Sequence, residues 1–286
     1  MAYEETSNPL RGIEAHPGSG HYGIFDHGAH VWAYTPEGQQ PVLWMSKQSQ
    51  YAEGKPISGG IPIVFPWFGK GPEDNRDPHH GFARLDTWHR SDIKDTISQD
   101  GRLIIEYELD YAMDHTDLPH DYTTYVRAKF TPEYLQVFME VTNDGEEPFT
   151  FESAFHTYLS VGDVRQISID GLDGCEYLDR VVGAEKLQCV QEGPVTITAE
   201  TDRLYSHKDT VVLHDPVLGR DLEISKVGSL STVVWNPWID KAARMPDFGD
   251  DEWTGMICIE AGNIRDNAVT LLPGQTHTMR QRVTLL

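Results

Sequence analysis

The sequence predicts an all-β protein built as a large antiparallel β-sandwich. Three observations carry that expectation. Short alternating or β-branched runs recur along the whole chain, turn residues separate them, and helical periodicity is nearly absent. Without crossover helices the strands must pair antiparallel, in sheets packed on one another. The 286 residues exceed a typical domain, but all-β folds can use ~250 residues as one unit. No Gly/Ser-rich linker, charge block or internal repeat divides the chain, so one domain over residues 1–286 is expected.

In chain order, strands are expected at 42–45, 103–109 and 123–130. The clearest follows at 134–142. Leu135, Val137, Met139 and Val141 point one way, and Gln136, Phe138, Glu140 and Thr142 the other. Period two marks a half-buried strand, and Asn143-Asp144-Gly145 stops it with turn chemistry. Further runs lie at 149–161, 195–199, 210–214, 221–227, 231–235, 255–260, 268–272 and 278–285. Most are rich in the β-branched and aromatic residues that strands favour. A turn or two of helix is expected within 240–245.

Aliphatic, aromatic and Cys residues make up 39% of the chain, ample for a large core. The formal charge of −22 argues against nucleic acid and against anionic membrane surfaces, since both demand clustered Lys and Arg. The longest mainly apolar run, 61–68, holds two prolines and falls far short of the ~20 residues that span a bilayer. The start, MAYEETSNPL, has neither a basic nor an apolar signal region. Three cysteines without a CxxC read as free thiols of a reducing compartment. A cytoplasmic protein is expected.

Four segments look unlike ordinary strands and turns. In Ser58-Gly59-Gly60-Ile61-Pro62-Ile63-Val64-Phe65-Pro66-Trp67-Phe68-Gly69, two prolines forbid a plain central strand and paired glycines permit close backbone approach. The segment reads either as a packed loop or as part of a site. His79-His80-Gly81-Phe82-Ala83-Arg84 pairs two histidines with an arginine. Neighbouring strand residues face opposite ways, which disfavours one shared metal ion and favours hydrogen bonding to a polar ligand. In the 152–158 segment, Glu152, Ala154, His156 and Tyr158 would share a strand face, a wet concave surface rather than a core. The fourth segment runs from Val233-Val234-Trp235-Asn236-Pro237-Trp238 to Ile257-Cys258-Ile259-Glu260-Ala261-Gly262-Asn263. Glu260 ends an apolar strand, and a lone buried carboxylate must be paired or functional. Trp238 is weighed evenly between a sugar-stacking platform and the core, and Trp235 toward the core.

Taken together, GGIPIVFPWFG, HGFAR, FHTYLSVGD, TDRLY, VVWNPW and ICIEAGN, in that order, resemble the hexose-6-phosphate mutarotases of the aldose 1-epimerase superfamily. The resemblance covers most of the chain, and its fold is the same large antiparallel β-sandwich. It implies His156 as general acid and Glu260 as general base. It further implies that Arg84 and His79 line the sugar site and that Asp202 binds sugar hydroxyls; His80, beside them, is expected from its own chemistry to hydrogen-bond the sugar. The family pattern places Arg directly before the Gly-Gly pair, to hold phosphate. This chain has Ser58 there.

The residue types suit ring chemistry. A pyranose opens when a base takes the C1 hydroxyl proton and an acid protonates the ring oxygen. Rotation about C1–C2 and reclosure give the other anomer. A carboxylate can accept the first proton, and a histidine can lend and recover the second. No metal or redox cofactor is required. The expected partner is a small sugar or sugar phosphate, with Arg84 the main phosphate-binding cation and Lys55, Lys70 and Arg76 nearby in sequence. A carbohydrate-binding protein without catalysis is the alternative, because fold alone does not set function. A mutarotase for unphosphorylated aldoses is the other.

Overall fold

The computed structural model describes residues 3–97, 103–111, 117–184 and 187–286. Two large antiparallel sheets carry most of the described strands. One is ordered Gln188–Val190, Glu176–Asp179, Thr201–Ser206, Ser231–Asn236, Met256–Asn263, Ser153–Phe155, Ile63–Val64, with Tyr158–Ser160 also pairing on Met256–Asn263. The other is ordered Ser168–Asp170, Val211–Asp215, Arg220–Val227, Thr276–Leu285, Tyr134–Asn143, Tyr122–Phe130, Leu103–Tyr111, His89–Ile97. A smaller N-terminal sheet joins Glu4–Thr6, Gly12–Ala15, His21–Phe25 and His30–Thr35, none of which the sequence pattern announces.

Burial follows the alternation. Leu135, Val137, Met139 and Val141 are all buried, and they meet the first sheet across the core. Polar pairs stitch the two sheets together there. Thr157 Oγ1 donates to Gln281 Oε1 at 2.5 Å, and Gln281 Nε2 donates to the Ile259 carbonyl at 2.9 Å. Satisfied buried polar groups of this kind select one register over its neighbours. The strands Ser231–Asn236 and Met256–Asn263 are buried along their whole length. One of their faces meets the second sheet, and the other forms the wall of a cavity.

Three expectations need correction. The run 149–161 is not one strand but three: Phe149–Phe151, Ser153–Phe155 and Tyr158–Ser160. The Glu152 and His156 N–H groups stay in register on the Pro66 and Pro62 carbonyls, but those prolines return no N–H. The Thr157 N–H also closes on the Phe155 carbonyl, so the regular ladder is interrupted on both sides of Ser153–Phe155. The run 195–199 contributes a single bridge, Val195 to Ile169, beside Pro194, which has no N–H to extend it. The run 42–45 also forms only bridges, because its backbone bonds are spread over Tyr34, Gly60, Tyr158 and Ser160. The expected helix is a short one at Trp238–Ala242.

Candidate active site

Sheet register assembles most of one cavity wall. Asp202 pairs with Trp235, Trp235 with Cys258, Val233 with Glu260, and Tyr158 with Cys258. Opposed residues share a face in an antiparallel ladder, so Asp202, Trp235, Glu260 and Tyr158 look the same way. His156 is set by the first motif. Its N–H donates to the Pro62 carbonyl at 3.0 Å, and the Tyr158 N–H donates to the Gly60 carbonyl at 2.9 Å. The proline-broken segment thus acts as the edge partner of the broken 152–158 stretch.

The second motif docks against the first through a parallel bridge between Phe65 and Gly81. Gly81 has φ +73°, and a Cβ there would lie 2.0 Å from the Phe65 carbonyl oxygen. Only glycine permits that approach. His80, at φ +65°, shares the left-handed turn. The turn delivers His79, His80 and Arg84 to the cavity.

The cavity holds about 350 Å³, within the range of small-ligand sites. It brings together Ser58, His79, His80 and Arg84 with His156, Asp202 and Glu260. Trp238 is not among its lining residues. The Trp238 N–H donates to Asn236 Oδ1 and its ring packs on Trp253 at 4.3 Å, which carries it off the sheet face. Trp235 lines the wall instead, edge-on to His156 at 5.7 Å, although it is largely buried. Glu152 also stays out of the cavity lining. Its carboxylate accepts the backbone N–H groups of Phe68 and Arg265 and works as a loop anchor.

The sequence reading missed Arg180, Lys241 and Asp247, which also line the cavity. Arg180 arrives through its backbone bond to Asp202, and its guanidinium stacks on Phe68 at 4.7 Å. Lys241 comes from the short helix and pairs with Glu200 at 3.1 Å. Lys55, Lys70 and Arg76 are absent from the lining. Arg76 stacks on Trp67 and donates to the Asp117 carbonyl. Ser58 is engaged, donating to Asp247 Oδ2 at 2.6 Å.

His156 Nδ1 lies 3.1 Å from Glu260 Oε1, and their side chains are only 10% and 1% exposed. Tyr158 stacks on the imidazole at 4.6 Å. Burial, reinforced by Arg84, His79, Arg180 and Lys241, pushes His156 down to about 3. Burial, reinforced by Asp202, pushes Glu260 well above the carboxylate range, against the pull of Arg180 and Arg84. Both shifts favour the neutral forms, an imidazole beside a protonated carboxyl, over the ionised pair that ordinary pKa values imply. The two forms hold the same number of protons and differ only in where one proton sits. Among the described residues, Glu260 Oε2 has no hydrogen-bond partner.

His80 Nδ1 accepts the Gly69 N–H at 3.1 Å, which leaves Nε2 as its proton-bearing nitrogen. Burial lowers His79 to about 4, helped by Arg84 and Arg180. Arg84 donates to the His79 carbonyl at 2.7 Å, while its buried Nε has no hydrogen-bond partner among the described residues. Cys258 shares the face of Glu260 and lies beside the pair, with His156, Cys258 and Glu260 each offering a ligand atom within 4.8 Å of the others. Burial and Glu260 raise the Cys258 thiol well above its ordinary value, so holding an ion there means expelling a strongly retained proton.

The aldose 1-epimerase family model matches residues 14–284. The chain belongs to the aldose 1-epimerase family. Relatives within that family include a candidate glucose-6-phosphate 1-epimerase of Escherichia coli K12, 32% identical over 237 residues, covering 82% of this chain and 76% of that protein. A counterpart from Salmonella typhimurium is 31% identical over 235 residues, with the same coverage of 82% and 76%. Among solved structures, a candidate mutarotase from Salmonella typhimurium superposes with a TM-score of 0.85 at 26% identity, covering 99% of this chain and 96% of that one. Aldose 1-epimerase family membership supports a mutarotase acting on a small sugar.

Proposed function

We propose that the protein interconverts the α and β anomers of a hexose 6-phosphate, with glucose 6-phosphate as the leading substrate. The observation that carries this reading is the meeting of the His156–Glu260 pair with three cations, Arg84, Arg180 and Lys241, in one sugar-sized cavity. The names of the E. coli and Salmonella relatives point to the same substrate.

Glu260 takes the proton of the C1 hydroxyl through its unpartnered Oε2. His156 gives a proton to the ring oxygen as the C1–O5 bond breaks, leaving the open-chain aldehyde. Rotation about C1–C2 presents the other carbonyl face, and the reverse transfers close the ring. Neutral and ionised forms of the pair hold the same protons, so a shift of one proton from Glu260 to His156, as the two align across their 3.1 Å approach, readies the acid without taking a proton from solvent. Positioned acid–base groups of this kind contribute ~10²–10⁴-fold each. Asp202 and the His80 Nε2–H hold ring hydroxyls. Trp235 and Tyr158 give the ring an aromatic wall.

Arg180 and Lys241 receive the phosphate. Their side chains are 24% and 32% exposed, so a dianion reaches them without being stripped of all its water. Arg84 is more enclosed and faces Tyr158, Asp247 and Glu260, which suits it to the sugar end. The test is two-dimensional NMR exchange between α and β signals of glucose 6-phosphate and of glucose, with and without protein. Acceleration of glucose 6-phosphate above glucose supports the reading. Acceleration of neither overturns catalysis, and equal acceleration of both overturns the phosphate assignment.

A further inference from the structure

A second group of ligating side chains stands on the N-terminal sheet, outside the sugar cavity. We propose that Glu14, His16 and His21 form a Zn²⁺ site that clips the hairpin between the strands Gly12–Ala15 and His21–Phe25.

The local sequence explains why the three meet. Ala15 pairs with Tyr22 and Glu14 with Gly23. Pro17-Gly18-Ser19-Gly20 closes the hairpin, with the Gly20 N–H on the Pro17 carbonyl at 2.8 Å and Gly18 at φ +58°. His16 and His21 therefore flank the turn. Ala15 and Tyr22 are buried, so Glu14 and His16 fall on the opposite, outward face.

The spacing fits a metal. His21 Nε2 lies 3.2 Å and His16 Nε2 3.6 Å from the same oxygen, Glu14 Oε2. With Zn–N and Zn–O bonds of ~2.0–2.2 Å, two ligands of a tetrahedral ion stand roughly 3.3–3.6 Å apart. The two imidazoles lie nearly parallel, centroids 4.7 Å apart, and both nitrogens crowd one carboxylate oxygen. An ion at their centre gives each nitrogen a partner of its own, and the rings splay from their stack to aim at it. Trp32 supports His21 edge-on at 4.9 Å. His16 is 54% exposed, which leaves a route in for the ion. The −22 charge of the chain raises the local concentration of cations. Three protein ligands leave a fourth position for water. The donor set of two imidazoles and a carboxylate suits Zn²⁺ better than Mg²⁺ or Ca²⁺, which prefer oxygen alone.

The experiment titrates Zn²⁺ into metal-free protein by calorimetry and follows thermal denaturation in parallel. Wild type is expected to show one saturable site and a melting temperature that rises with zinc, because ligand bound only to the native state stabilises it by mass action. His16→Ala and Glu14→Gln are each expected to weaken binding by at least ~10-fold and to shrink the thermal gain. His16 is exposed, so its removal leaves the fold intact. Cys258→Ala serves as control for the other ligand cluster and is expected to bind zinc as wild type does. Absence of saturable binding up to ~1 mM zinc, a Kd worth only about 4 kcal/mol, overturns the site. Wild-type affinity in His16→Ala, or loss of binding in Cys258→Ala alone, overturns it equally.

Discussion

His156 Nδ1 stands 3.1 Å from Glu260 Oε1, and the surrounding burial drives the two groups toward neutrality from opposite directions. His156→Asn and Glu260→Gln are each expected to slow anomerisation by at least ~10²-fold with the fold retained. Exchange NMR on each variant, beside its melting curve, checks this. Near-wild-type exchange in either one removes that residue from its proposed role.

Arg180 and Lys241 carry the phosphate in the proposed reading. Losing one charge-assisted contact costs ~1.5–3 kcal/mol, or roughly 10–150-fold. Arg180→Ala and Lys241→Ala are therefore expected to lower kcat/KM for glucose 6-phosphate by at least ~10-fold while changing glucose little. If both substrates fall together, the two cations serve the ring or the fold rather than the phosphate.

Ser58 holds Asp247 through a 2.6 Å hydrogen bond, where the family pattern has a cation. An arginine introduced at 58 meets Asp247 first and spends its charge there. Asp247→Asn is expected to raise the preference for the 6-phosphate by about tenfold, equivalent to ~1.4 kcal/mol. Ser58→Arg is expected to help phosphate more in the Asp247→Asn background than alone. Kinetics of the two single variants and the double variant measure the coupling.

His30 is buried, and burial, with His27 and Arg84, depresses it to about 3. The unfolded chain therefore binds a proton below pH 6.5 that the native chain refuses until near pH 3. Stability from this residue is present above pH 6.5 and is lost as pH falls. Glu260 acts in the opposite sense, because its raised pKa makes the native state hold a proton the unfolded state releases. Comparing wild type with His30→Asn isolates the histidine. Between pH 6.5 and pH 5, wild type is expected to lose roughly 2 kcal/mol more than the variant. Parallel curves of denaturation against pH would show that His30 does not carry this dependence.

The fold class was legible because alternation is a local signal. Leu135, Val137, Met139 and Val141 declare a buried face from their spacing alone, and the structure buries all four. The candidate pair could also be found locally, since His156 and Glu260 sit in ordered motifs and a carboxylate within an apolar strand demands an explanation.

What only the tertiary structure decided was the company those residues keep. Arg180, Lys241 and Asp247 occupy loops and helix ends with no periodic signature, and they reach the cavity through strand register and a single hydrogen bond. Of the two tryptophans of VVWNPW, Trp235 is buried as weighed yet also lines the cavity, whereas Trp238, weighed evenly, does not, because its N–H donates to Asn236 Oδ1 and the chain turns away. Glu152 stays out of the cavity because the backbone N–H groups of Phe68 and Arg265 hold its carboxylate. Even the charge state of the pair was out of reach of the sequence. A side chain's ordinary pKa is a property of its type, whereas the direction of its shift is set by burial and by charges that distant segments bring beside it.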